Sequence, residues 1–218
     1  MYVSNCNGVK TLELETVHLF HGTYKKNAEI INKQGFKAID IPNVGKINSG
    51  TVKSKPGSLG FGLYGFKDNQ GLAFNYIKRV CNGTDYEVLC FDIQFHRDNI
   101  LNFVDSIDDM MLFQHWKENP SRKKLLKILK CKYHNGTKQH SLDGAILEAY
   151  IQDMMRLKEF GGPIDAVCSA THTPTDVELN NNNIAMVPNG IEYAVRSNNI
   201  IDKVSIKTVD IDSNQLEE

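Results

Sequence analysis

The stretch Thr16-Val17-His18-Leu19-Phe20-His21-Gly22-Thr23 alternates and then breaks on a glycine. Alternation places Val17, Leu19 and His21 on one face of a short strand over 16–21. Helical sequence follows at once, over about 25–33, with Thr23 as its expected cap. Gly35 stands where a helix-terminating glycine belongs. Outward from there, residues 40–57 are polar and rich in Gly, Asn, Ser and Lys. They read as a long loop over a site, well above the roughly six-residue median. Residues 60–66 are glycine- and aromatic-rich and read as a strand closely approached by other groups. A helix is expected over 69–79.

Strand character returns at 86–95 and 100–103. The pattern then changes: 105–118, 121–132 and 141–159 all carry helical periodicity, broken by Pro120 and by Gly161-Gly162-Pro163. Strands resume at 164–168. Residues 185–187 and 191–195 flank a Pro188-Asn189-Gly190 turn and read as a hairpin. A last strand is expected over 200–209. Strands at both ends with helices between them predict an α+β fold. Its core would be a split, mostly antiparallel sheet carrying a helical insertion at about 105–160, all within one domain over 1–218.

Composition narrows the function. The chain has 218 residues, 41% of them hydrophobic and 23% charged, with a formal net charge of −1. That is enough apolar material for a core, and the whole molecule exerts no strong pull on nucleic acid or membrane. The ~20 consecutive apolar residues of a membrane span are missing, as is a signal-peptide core near Met1. Five scattered cysteines read as free thiols in a reducing compartment, so the expected location is the cytoplasm, with no membrane partner. Cys131, His134 and His140 match no tight zinc spacing, and no metal is expected. Lys123, Lys124, Lys127, Lys130 and Lys132 form a basic stretch that reads as a solvated face or a phosphate contact. No GxGxxG opens a helix after a strand with a downstream acid, which argues against a Rossmann dehydrogenase.

Three pieces carry candidate chemistry. They are Leu19-Phe20-His21-Gly22-Thr23, then Gly60-Phe61-Gly62-Leu63-Tyr64-Gly65-Phe66 with Tyr76 beyond it, and Asn189-Gly190-Ile191-Glu192-Tyr193. In this order they resemble the NAD-binding core of diphtheria-toxin-like and PARP-like ADP-ribosyltransferases, the His-Tyr-Glu type. That family shows a Tyr/Phe-His-Gly-Thr strand, a helix ending before a Gly-hydrophobic pair (here Gly35-Phe36), a Gly-x-x-Tyr strand, a helix with a second Tyr, and a late strand with one Glu. The resemblance covers roughly the first 80 residues and the last 35.

The resemblance implies mono-ADP-ribosyl transfer from NAD, as substrate, to a macromolecular acceptor, protein or nucleic acid. The setting would be a toxin, effector or phage-defence enzyme, with an antitoxin or other protein as a further partner. Glu192, His21 and Tyr64 would be catalytic. Tyr64 and Tyr76 would clasp the cationic nicotinamide ring, each worth roughly 0.5–2 kcal/mol. His21 would bond the adenosine ribose, Gly22 the carboxamide, and Thr23 would support the turn. Ser58 and Gly62 would bring backbone near the dinucleotide. Nicotinamide leaves as a neutral group, so one carboxylate suffices to stabilise the ribosyl cation, unlike the paired acids of most glycosidases. Gly190 stands where arginine- and asparagine-directed relatives of the Arg-Ser-Glu branch carry an acid or amide, and Ser169-Ala170-Thr171 is only a faint echo of that branch's Ser-Thr-Ser strand. An inactive NAD- or protein-binding module is the remaining alternative.

Overall fold

In the computed structural model, residues 14–81, 85–133, 140–173 and 187–210 are described. Seven strands form one mixed sheet in the order β4-β5-β6-β2-β1-β3-β7. They are β1 Leu14–Tyr24, β2 Leu63–Lys67, β3 Tyr86–His96, β4 Ile100–Phe103, β5 Ala166–Thr171, β6 Gly190–Val195 and β7 Ile201–Val209. Among the described residues six helices accompany them: α1 Lys25–Gln34, α2 Val44–Ser49, α3 Gln70–Val80, α4 Ile107–Glu118, α5 Lys123–Lys132 and α6 Ser141–Leu157. The architecture is α+β.

Among the described strands only β4 and β5 run parallel, with Ile100 opposite Ala166 and Phe103 opposite Ser169. A parallel pair needs a long crossover. The helical stretch α4–α6 is that crossover. It is rooted by Trp116, whose indole N–H donates to Asp153 at 2.9 Å, and by ion pairs from Arg122 and Arg156 to the same carboxylate.

The sheet is covered on both faces, each alternate residue going to a different core. Val17, Leu19, Phe91 and Ile93 pack under Phe36 and Ile39 on the α1 side. On the other face Phe66, Val88, Leu72 and Ala73 form the small core beneath α3. Val167, Ala194 and Leu101 meet α6 through Tyr150, Ile151 and Leu147. Burying side chains of this size stabilises by roughly 1.5–3 kcal/mol each.

Several local expectations change. β1 extends to Tyr24, and Thr23 is buried within it rather than capping α1, whose N-cap is Tyr24 with no side-chain capping bond. The expected loop over 40–57 contains α2, because Asn43 caps it by accepting from Lys46 N–H and Ile47 anchors it in the core. Strand structure begins only at Leu63, and residues 57–60 form a tight turn closed by reciprocal Gly57 and Gly60 backbone bonds of 3.1 and 3.2 Å. The first arm of the expected 185–195 hairpin lies mostly outside the described residues. β6 pairs instead with β5 and β2.

Candidate functional site

The sheet is nearly two sheets. β1 pairs with β2 only at Leu19–Lys67 and Phe20–Phe66. Beyond Phe20, β1 stays with β3 through Tyr24, while β2 runs back along β6 through Tyr64 and Leu63. A gap therefore opens between His21 and Tyr64. His21 spans it: its Nδ1 lies 2.7 Å from the Tyr64 carbonyl oxygen. A carbonyl can only accept, so Nδ1 carries the proton and Nε2 is left as an acceptor. Burial lowers the His21 pKa, which keeps the ring neutral near pH 7.

Glu192 sits on β6 opposite Phe66 of β2 and Ser169 of β5. Alternation puts it on the α3–α6 face with Tyr64, and puts His21 on the face of Leu19, against Phe36. A ligand held by both must pass through the gap. The Ser58 hydroxyl donates to Glu192 Oε2 at 3.0 Å. Desolvation pushes the carboxyl up to about 7, and the Ser58 bond only partly offsets it.

The two predicted tyrosines converge on this acid. The Glu192 charge raises the pKa of both Tyr64 and Tyr76, after burial as the larger cause in each. Tyr76 projects from α3 and leans on Phe66, with ring centroids 6.2 Å apart. It is half open to solvent, whereas Tyr64 is tied down. The Tyr64 hydroxyl donates to the Gly60 carbonyl at 2.8 Å and accepts from Leu59 N–H at 2.9 Å. Tyr64 thus fixes the turn that presents Ser58, in addition to lining the site.

Gly22 has a packing role that the sequence did not reveal. A Cβ there would stand 2.5 Å from Ile77 Cβ and 2.6 Å from the Ala73 carbonyl oxygen, so glycine is what lets α3 close on β1. Gly62 is similar: its missing side chain makes room for the Val195 carbonyl of β6. Ser58, expected only as a backbone contact, is instead the hydrogen-bond partner of the candidate acid.

Sequence reading missed the residues that hold this turn. Glu148 of α6 is fully buried and pairs with Arg196, just beyond β6, at 2.5 and 3.1 Å. The same carboxylate accepts from Phe61 N–H at 2.7 Å. Gly60 has a φ of +91°, and a Cβ there would collide with Glu148 Oε1 at 2.3 Å. A signal did exist. Glu148 is the lone charge in Ala145-Ile146-Leu147-Glu148-Ala149-Tyr150, and Arg196 ends the apolar run Tyr193-Ala194-Val195. Such charges inside apolar runs need a partner.

Among the described residues there is no cluster of three or more His, Cys, Asp or Glu side chains placed to hold a metal ion. His134 and Cys6 lie outside them, and Cys81, Cys90, Cys131 and Cys168 are free thiols. No described helix is long and apolar enough to cross a membrane. No protein-family model, curated protein or solved structure matches this chain.

Proposed function

We propose that this chain is an NAD-dependent mono-ADP-ribosyltransferase of the His-Tyr-Glu type, its sheet split in the manner of that fold, transferring ADP-ribose to a macromolecular acceptor. The observation that carries this reading is the position of Glu192. Its carboxyl is held by Ser58 and its charge acts on both Tyr64 and Tyr76, while the Tyr64 carbonyl is the group that His21 bonds across the gap.

The residues fit the substrate group by group. His21 Nε2 is an acceptor and suits a ribose hydroxyl. Tyr76, half exposed above Phe66, offers a ring face to a cationic nicotinamide. Glu192 supplies negative charge where the ribose carbon becomes electron-poor as the glycosidic bond lengthens. A carboxyl near 7 is partly protonated in the free protein at neutral pH. A bound pyridinium cation favours its ionised form, so substrate binding itself charges the group that stabilises bond breaking.

Titrating NAD into the purified chain by calorimetry tests this. His21→Ala and Tyr76→Ala should each weaken binding, and labelled NAD should mark a lysate acceptor unless Glu192 is replaced by Gln. Unchanged NAD affinity in both binding variants would defeat the proposal.

A further inference from the structure

A cavity adjoins the Glu192 site, and we infer that it seats the acceptor: an amino-bearing base of a single-stranded nucleic acid. This inference rests on the transferase reading above. The cavity is about 390 Å3, within the roughly 300–1,000 Å3 range of small-molecule sites. Its wall towards the candidate acid is Ser58, which bonds Glu192, and Ser169, which faces Glu192 across β5 and β6. Opposite them, the end of β4 supplies Phe103 and the crossover supplies Met110, Phe113, Lys117 and Asp143.

The chemistry of those groups chooses the guest. Phe103 and Phe113 are only partly buried, with ring centroids 5.4 Å apart, and give an aromatic surface on which a flat ring stacks. Lys117 holds its ammonium 4.7 Å from the Phe113 ring centre, placing a cation beside any base stacked there. Asp143, in the first turn of α6, is an acceptor for an exocyclic amine. Beyond Lys117 the chain runs into Lys123, Lys124, Lys127 and Lys130, all exposed on α5. A base stacked on an aromatic face, with cations near its phosphates, is how single strands are held. A basic protein segment would meet repulsion at Lys117.

The transfer balances. The bond between the ribose C1′ and the nicotinamide nitrogen breaks, and nicotinamide leaves neutral with the electron pair. The exocyclic nitrogen of the base forms the new bond to C1′ and gives up one proton, first to the Glu192 carboxylate and then to water.

The test uses the full chain with adenylate-labelled NAD and four acceptors: mixed-sequence single-stranded DNA, the same sequence as RNA, oligothymidylate, and lysate protein. Nicotinamide release without acceptor is followed in parallel, as is anisotropy of a fluorescent DNA strand without NAD. The inference expects label on mixed DNA or RNA and not on oligothymidylate, the DNA and RNA arms telling which strand is used. Phe113→Ala and Lys117→Glu should each cut transfer and strand binding about tenfold at low salt, with acceptor-free nicotinamide release unchanged. Lys117→Glu keeps the aromatic packing in place and carries the test should Phe113→Ala destabilise. Label only on protein, or equal label on oligothymidylate, overturns the inference. So does nicotinamide release with no labelled strand, which leaves the NAD reading standing. Absent nicotinamide release defeats the NAD reading, and strand binding indifferent to both variants then also rules out the cavity.

Discussion

Glu148 and Glu192 are two acids on either side of one turn, and the molecule treats them oppositely. Glu148 is fully buried, and a guanidinium and a backbone N–H satisfy it. Glu192 is buried enough for its carboxyl to be pushed up to about 7, yet its hydrogen-bond partner is a neutral hydroxyl. The first arrangement commits a charge to structure. The second leaves a charge beside two tyrosines, which is what the proposed catalytic role requires. The Gly57–Phe61 turn links them, because Glu148 fixes its far side and Ser58 reaches Glu192 from its tip.

The largest effect that tests this contrast is on stability. Glu148→Ala strands Arg196 without its carboxylate in the interior and should cost about 3–5 kcal/mol in urea unfolding. A loss below 1 kcal/mol would mean that Arg196 reaches water and that the contrast is wrong.

Glu192 should respond with the opposite sign. Its folded pKa lies above the ordinary carboxyl value, so the folded chain binds more protons than the unfolded one between about pH 4.5 and 7. That contribution is present below pH 4.5 and is lost as pH rises through 7. Glu192→Gln removes the loss. The variant should be about 1–2 kcal/mol more stable at pH 8, a rise of a few degrees in Tm, and about equal to the parent at pH 4.5. Denaturation at the two pH values decides it.

Tyr76→Ala should weaken NAD binding by about 1 kcal/mol, roughly fivefold in Kd, with Tyr76→Phe close to the parent. The smallest change is a shift of profile. With Glu192 required as the carboxylate, kcat/KM for nicotinamide release should rise with pH through about 7. Ser58→Ala removes the bond that lowers the Glu192 pKa, so the midpoint should move up.

Most strands and helices were legible because their periodicities are clear. β3 alternates over its whole length, and α6 carries an apolar stripe. What stayed hidden depends on pairing across distance. α2 is six residues long with too few apolar positions to show a period, and it forms because Ile47 finds the core. The helices between β4 and β5 read as an insertion because nothing local says that these strands are parallel and need a crossover. His21, Tyr64, Tyr76 and Glu192 were each visible as residues. The gap that His21 bridges was not, since it comes from β1 and β2 diverging after two paired positions. Ser58 was singled out for its backbone, and its hydroxyl matters because Glu148 and Tyr64, distant in sequence, hold the turn.

The most direct test is nicotinamide release from NAD by the parent chain and by Glu192→Gln, compared at pH 7.5 with both shown folded by circular dichroism. Removing the carboxylate while keeping its shape should lower the rate by about 10²–10³-fold. Release by Glu192→Gln at the parent's rate would contradict the assignment of Glu192 as the group that stabilises bond breaking.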